Sequence, residues 1–178
     1  MQGGELNLNP DFNIRAQYKE HIMDEILHNQ KILDIVKVNQ DIETDDQLEG
    51  YFDGNNQWHD GVILPYLYVP PTIIDKASTF LCFDVTTRQE NHSSTMQNLY
   101  VYINIFCEKS LMRYNLDGYS GTRMDILLTL LTQMMTIPNK FGIGNFIPKE
   151  PKPIHPADSY DGYQVIYVVP DFNVKRMQ

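Results

Sequence analysis

Two histidines seven residues apart are the first residues whose types could bind a metal ion. His21 and His28 bracket the segment HIMDEILH near the start of the chain. A zinc-protease helix needs two histidines four residues apart, with a glutamate beside the first, so that both rings converge on one ion. At a spacing of seven the two rings lie about 10 Å apart along a helix axis, which is too far for one ion. We interpret them as surface or interface histidines.

Two other places put a histidine near a carboxylate. His59 precedes Asp60, and His155 lies three residues before Asp158. A histidine and a carboxylate act in acid–base chemistry or bind a metal ion only where they converge. These pairs fall in separate loops, and nothing in the sequence brings them together. A small hydrolase with a dispersed metal site at these four residues stays an alternative, which metal analysis of the purified protein would test.

The remaining motifs for catalysis or cofactor binding are incomplete. Ser120 has Gly118 two residues before it but Thr122 two residues after it, where a nucleophile elbow needs a second glycine. The segment 142–144 is a single GxG without the third glycine or the leading strand of a dinucleotide site. The sequence therefore predicts no catalytic, cofactor-binding or metal site. We expect a binding or structural protein and not an enzyme.

The acidic composition restricts the class of partner. The 178 residues carry 14 Lys and Arg against 23 Asp and Glu, which gives a formal net charge of −9 and a pI of about 4.9. A protein that grips nucleic-acid phosphates needs clustered lysines and arginines. The charge argues against that class. It allows a protein that nucleic acid passes without binding, because an acidic wall repels phosphates.

The sequence gives no sign of membrane insertion or secretion. No stretch is long and apolar enough to cross a bilayer, and the N-terminus lacks a basic region followed by an apolar run. Cys82 and Cys107 fall in predicted strands and form no CxxC motif. We expect buried thiols in a reducing compartment, with a disulfide between neighbouring strands as the alternative. The protein is thus expected to be made and used in a cytoplasm.

The middle of the chain predicts a β-hairpin with strands Thr79–Thr86 and Leu99–Cys107. Side chains of the second strand alternate between two sets, Leu99, Val101, Ile103, Ile105 and Cys107 on one face and Tyr100, Tyr102, Asn104 and Phe106 on the other. Both faces are largely apolar, so helices should cover at least one of them. The polar segment Thr87–Asn98 is too long for a tight turn, and a compact domain seldom keeps such a loop without a use for it.

Helices are predicted on either side of this hairpin. The first begins at Asp11 or Asn13 and runs to about Lys37, with an apolar stripe at helical spacing formed by Ile14, Tyr18, Ile22, Ile26, Leu33 and Val36. The second begins near Thr122 and stops before Pro138. Its solvent side is expected to carry Arg123, Asp125 and Gln133.

The other strands complete the predicted fold. Val62–Val69 is expected as an edge strand because it contains Pro65, and Tyr163–Val169 as a central strand. Lys149–Pro156 should be extended and exposed. The prediction is a single α+β domain over residues 1–178, with a flexible lead-in at 1–11 and a flexible tail at 173–178. It has a mainly antiparallel sheet, two main helices packed on it and a long β-hairpin loop.

This order of elements resembles the tail-terminator and neck proteins of tailed bacteriophages. The similarity runs from about Ile14 to Phe172. It rests on the segments KILDIV (31–36), LYVYINIF (99–106), GTRMDILL (121–128), KFGIG (140–144) and YQVIYVVPDF (163–172).

The resemblance implies an assembly role in the virion. It implies a six-fold ring of identical subunits that caps the tail tube and joins it to the head–tail connector. The implied partners are the subunit itself, the tail tube protein and the connector proteins. Double-stranded DNA would pass through the lumen without specific binding, and no membrane or cofactor is implied. Such a protein is assembled in the host cytoplasm and has no catalytic residues.

The predicted hairpin loop is the hypothesised assembly interface. It contains Arg88, Gln89, Glu90, Asn91, His92, Ser93, Ser94 and Met96. The loop would reach a neighbouring subunit or the tube, while the edge strand or the hairpin itself would add strands between subunits. A stopper or tail-completion protein of the neck, or a host adaptor that binds a peptide on its sheet edge, stays an alternative.

Overall fold

The computed structural model describes residues 10–37, 48, 51–52, 58–59, 61–67, 78–89, 97–142 and 144–172. It confirms the predicted fold class: within these residues, three α-helices and a mainly antiparallel open sheet of six strands form one α+β domain. The helices are α1 (Pro10–Leu27), α2 (Gln30–Lys37) and α3 (Arg123–Met135), and a short 3-10 helix covers Lys109–Leu111. The strands are β1 (Tyr51–Phe52), β2 (Trp58–His59), β3 (Ile63–Leu64), β4 (Thr79–Gln89), β5 (Gln97–Glu108), β6 (Ile147–Pro148), β7 (Lys152–Ala157) and β8 (Tyr160–Phe172).

The main sheet is built around three long strands. Its order is β3-β4-β5-β8-β6, and β7 also pairs with β8. Among the strands that the structure describes, only β3 and β4 run parallel to each other, whereas β1 and β2 form a separate antiparallel pair. In the central register, Tyr102 of β5 lies between Asp84 of β4 and Ile166 of β8. The prediction that the last strand is central is confirmed.

The hairpin is longer than predicted. The ladder between β4 and β5 continues to the pair Gln89 and Gln97, so the expectation of a loop over the whole of Thr87–Asn98 is wrong at both ends. Polar side chains at these positions suggested a loop. They are tolerated in strands because the backbone groups pair across the ladder while the side chains stay exposed or half-buried. The intervening residues 90–96 lie outside the described part of the chain.

The long first helix is divided into two. It was predicted to continue to about Lys37, but α1 ends at Leu27 and α2 begins at Gln30. The side-chain oxygen of Asn29 accepts a hydrogen bond from the backbone N–H of Ile32 at 3.3 Å, as an N-cap residue does. Asn29 therefore begins a new helix, and α2 buries Ile32, Leu33, Ile35 and Val36.

The second predicted helix begins where expected. Thr122 caps α3 and, with Asp125, forms a reciprocal capping box that satisfies two backbone N–H groups. The placement of Arg123 on the solvent side is wrong, since this residue is 2% exposed. Its Nη1 donates to the carbonyl oxygen of Ile35 at 3.2 Å, at the C-terminal end of α2. A hydrogen-bonding partner contributed by another helix is what allows the guanidinium to be buried.

The predicted edge elements are present in shorter form. The expected strand Val62–Val69 is paired only over Ile63–Leu64, directly before Pro65, and residues 68–69 lie outside the described part. The extended segment Lys149–Pro156 contributes β7, which is largely exposed. The acidic segment at 39–50 lies outside the described residues, apart from the buried Leu48.

Candidate interaction surface

The two faces of the sheet have different surroundings. On one face of β5 the side chains of Leu99, Val101, Ile103 and Ile105 are completely buried. The helices lie on this face. Tyr167 of β8 pairs with Val101, and its hydroxyl oxygen is 2.9 Å from the hydroxyl oxygen of Thr132 on α3. The alternate residues Tyr100, Tyr102 and Asn104 are only half-buried. The sheet is therefore helix-covered on one face and partly open on the other.

Three side chains form an ordered cluster on the partly open face. The rings of Tyr100 and Tyr102 stack with centroids 6.3 Å apart and an interplanar angle of 26°. The guanidinium carbon of Arg88 lies 5.4 Å from the first centroid and 5.8 Å from the second. Both distances lie within the range of a cation–π interaction. An exposed arginine held over two tyrosines is a composition enriched in protein–protein interfaces.

Polar and apolar neighbours extend this cluster across β8. Gln164 donates to the side-chain oxygen of Asn104 at 2.9 Å, and Ile166 lies directly opposite Tyr102 and is half-buried. We call the surface formed by Arg88, Tyr100, Tyr102, Asn104, Gln164 and Ile166 the aromatic face. At its rim Lys152 pairs with Gln164 and is exposed, and Ile147 keeps 49% of its surface exposed.

The opposite end of the same sheet face is closed. Phe80, Phe106 and Tyr160 are buried against one another, with ring centroids 5.4 to 6.1 Å apart. Tyr66 lies close to the buried Cys82, and burial is the main cause that raises the pKa of Tyr66 to about 12. The partly open region is thus confined to the end of the sheet that leads to the hairpin.

The outer edge of β4 is protected against strand addition. The backbone N–H of Leu81 points outward to Val62, so the N–H of Val85 points outward as well. It donates to the carboxylate of Asp84 at 2.8 Å, and the same carboxylate pairs with Lys19 of α1 at 2.6 Å. Lys19 also donates to the carbonyl of Pro65 at 3.1 Å. A charged side chain satisfying an edge donor is a recognised protection against pairing.

Prolines protect the other edge. The segment that forms β6 and β7 contains Pro148, Pro151, Pro153 and Pro156. Proline has no N–H to donate, so an added strand would lose hydrogen bonds at these positions. At these described positions, the strand addition that we hypothesised from the sequence would therefore lack hydrogen-bond donors.

The hypothesised loop interface is described only at its first residues. Arg88 and Gln89 are exposed and form the last residues of β4. Glu90, Asn91, His92, Ser93, Ser94 and Met96 lie outside the described part of the chain. Sequence reasoning placed Arg88 in a loop and so missed its position over the two tyrosines. The alternation of β5 contained the signal for Tyr100 and Tyr102, but the pairing partner of Arg88 could be read only from the register.

The histidine pairs considered for chemistry are arranged differently in the structure. The Nδ1 atom of His155 is 2.6 Å from the carboxylate of Asp161, while the backbone carbonyl of Asp158 accepts a hydrogen bond from Lys109. Asp60 and the side chain of His59 lie outside the description. His21 is half-buried beside the ring of Phe141, with centroids 5.2 Å apart. Across the described ranges no group of three or more His, Cys, Asp or Glu could hold a metal ion.

The two cysteines are free and buried, as predicted. Their positions explain why they form no disulfide: Cys82 pairs with Asn104 and Cys107 pairs with Thr79, so the thiols lie on opposite faces of the sheet. Burial raises the pKa of both thiols, although a hydrogen bond donated by Thr79 lowers that of Cys107 in part.

Neither thiol is expected to react with DTNB in the folded protein at pH 8, because the thiolate is the nucleophile and both pKa values are raised. The absorbance of the released thionitrobenzoate measures the reaction. In guanidinium chloride both thiols should react, since the unfolded chain restores the ordinary pKa of about 8.5. A thiol that reacts within seconds in the native protein would contradict this burial.

In the part of the chain that the structure describes, no helix has the length and apolarity needed to cross a membrane.

The fold defines the class as a small α+β domain whose sheet carries helices on one face and the aromatic face on the other. The chain belongs to the YomW family, whose model matches residues 24–169. YomW is a gene name from a Bacillus phage SPBc2-like prophage, and the family is phage-associated. This confirms the bacteriophage part of the resemblance. No curated protein and no solved structure shows a significant match.

Proposed function

We propose that this protein is a structural component of the virion at the head–tail junction, and that it acts as a tail terminator. Identical subunits would form a ring that caps the tail tube and joins it to the connector. The phage-associated family supports the virion setting. The aromatic face is the observation that carries the assembly role, because it places an exposed arginine and two half-buried tyrosines where a partner can contact them.

The end of the sheet beside the aromatic face supports a contact with the tube. The last residues of β4, the first of β5 and the last of β8 lie together, since Gln97 pairs with both Gln89 and Phe172. In this proposal the residues that join β4 to β5 contact the tube from this end of the sheet, while the aromatic face contacts a neighbouring subunit.

The charge of the chain is compatible with a position around the DNA channel. A net charge of −9 repels phosphates, so DNA would pass through the lumen without being held. The partners in this proposal are the subunit itself, the tail tube protein, the connector proteins and the passing DNA. The proposed action is assembly in the host cytoplasm and then a fixed place in the virion, without catalysis, cofactor or membrane.

Shortening the hairpin loop is expected to impair tube capping without unfolding the protein. Gln89 and Gln97 are a paired register position, so Asn-Gly can replace residues 90–96 as a two-residue turn. The capped fraction of tail tubes, counted by electron microscopy, should fall at least about tenfold, because one lost loop contact of about 1.4 kcal/mol has this effect. Circular dichroism and thermal unfolding should stay close to those of the unchanged protein.

A replacement of the same length distinguishes the effect of the loop sequence from the effect of the loop length. Replacing residues 90–96 by seven Gly and Ser residues keeps the span and should impair capping as well, if the loop side chains make the contact. Full capping by the shortened variant would remove this role from the loop. A protein that forms rings but never caps tubes would instead be a stopper or tail-completion protein of the neck.

A further inference from the structure

The charges around the aromatic face select its partner. Arg88 and Lys152 are exposed at its two sides, whereas Asp84 on the same face already pairs with Lys19. Among the described side chains of this face and its rim, the charge that is not paired in this way is therefore positive, on a chain whose net charge is −9. An acidic surface is the complementary partner, and complementary charges fix register and suppress wrong pairings.

The same chain carries an acidic surface on α1. Glu20 and Asp24 are exposed and four residues apart, so they lie on one side of the helix. We call this pair the acidic ridge. Two of the cations on the neighbouring turns are occupied elsewhere: Lys19 pairs with Asp84, and Lys140 pairs with Glu25. Within the ridge, the Nδ1 atom of His28 lies 3.1 Å from the carboxylate of Asp24, so Asp24 keeps an uncompensated charge only where that imidazole is neutral, whereas Glu20 is exposed. The helix α1 lies against β4 through the hydrogen bond from Arg15 to Thr87.

We propose that the aromatic face binds the acidic ridge of a second copy of this chain. The contact joins two different surfaces, so a pair of copies keeps one unused aromatic face and one unused acidic ridge. Further copies can therefore add through the same contact until a ring closes. A two-fold contact between two aromatic faces would bring Arg88 and Lys152 of both copies together, and like charges oppose it. The inference rests on the proposed ring and specifies how its neighbours meet.

Complementary charge reversals test this contact. In R88E/K152E both surfaces are acidic, and in E20K/D24K both are basic. Sedimentation velocity should show that each variant alone associates at least roughly tenfold more weakly than the unchanged protein. An equimolar mixture should regain association, because each acidic surface then meets a basic one, and the quadruple variant should associate alone. The substitutions R113E and D117K, at exposed loop positions, change the net charge in the same two directions by half as much and should leave association unchanged.

The following results would contradict the proposed contact between the aromatic face and the acidic ridge. If the mixture stays dissociated, or if both reversed variants associate like the unchanged protein, these two surfaces do not meet. If E20K/D24K associates normally while R88E/K152E does not, the aromatic face binds something other than the ridge. An unchanged protein that stays monomeric up to millimolar concentration also overturns the self-contact. Tube capping is measured separately, so the proposed terminator role can fail while this interface is upheld, and the reverse.

Discussion

Gly162→Ala is expected to lower the free energy of unfolding by about 3 kcal/mol, at the upper end of what overpacking costs. A Cβ atom on Gly162 would collide with the carbonyl oxygen of Ile105 and would lie 2.7 Å from the Cβ of Phe106. Both obstructing atoms belong to β5 or are fixed to its backbone, so no rotamer change relieves the contact. Urea unfolding should show a lower midpoint, and thermal unfolding a decrease of roughly 8 °C.

The position of Gly162 explains why the cost is large. It pairs with Phe106, whose ring packs on Phe80 and Tyr160, and on its other side β7 brings Ile154 within 3.1 Å of the added atom. Shifting β5 or β8 would disturb the closed end of the sheet on both sides. The missing side chain is therefore what lets three strands and the aromatic cluster approach one another.

Gly118→Ala is the matched control for this prediction. Gly118 has a positive φ of 83°, but nothing lies within 4 Å of an added Cβ. Its cost is the left-handed backbone alone, about 1 kcal/mol, and Gly118→Asn should recover part of it. Truncating Phe106 to alanine should not rescue Gly162→Ala, because the obstructing Cβ remains. A Gly162→Ala variant within 0.5 kcal/mol of the unchanged protein would contradict the described strand register.

Much of this fold follows from periodicity. The period of two in 99–107 places Leu99, Val101 and Ile103 on the buried face and Tyr100 and Tyr102 on the other, as the structure does. These patterns are local, so they can be recognised without knowing the tertiary contacts. The start of α3 at Thr122 is equally local, because its capping box involves only residues three apart.

The features that escaped prediction depend on distant contacts. Arg88 appears as one polar residue in a polar stretch, and only its pairing with Asn98 brings it beside Tyr100. The helix break at Asn29 escaped prediction because the apolar stripe continues at helical spacing on both sides of it. Which sheet face the helices cover is a property of the whole topology, so the alternation of β5 alone could not identify the partly open face.

Arg123 is the second residue whose replacement should strongly affect the fold. Arg123→Ala is expected to cost about 3 kcal/mol, because it removes a buried side chain and leaves the carbonyl of Ile35 without its donor. The guanidinium carbon also lies 5.0 Å from the ring centroid of Tyr114. Burial lowers the pKa of Arg123, but the ordinary value is so high that the group stays charged at neutral pH. Urea unfolding measures the effect.

The order of three substitutions at this position distinguishes charge from packing. Lysine keeps the charge but loses the planar group that reaches Ile35 while lying over Tyr114, so Arg123→Lys should cost about 2 kcal/mol. Methionine gives up the hydrogen bond but removes a buried charge whose Nε has no partner among the described residues, so Arg123→Met should cost only about 1 kcal/mol. If Lys were better tolerated than Met, the charge near the end of α2 would be the stabilising element, through its interaction with the helix dipole. If the methionine variant is the more stable of the two, Arg123 holds α2 and α3 together mainly by filling the space between them.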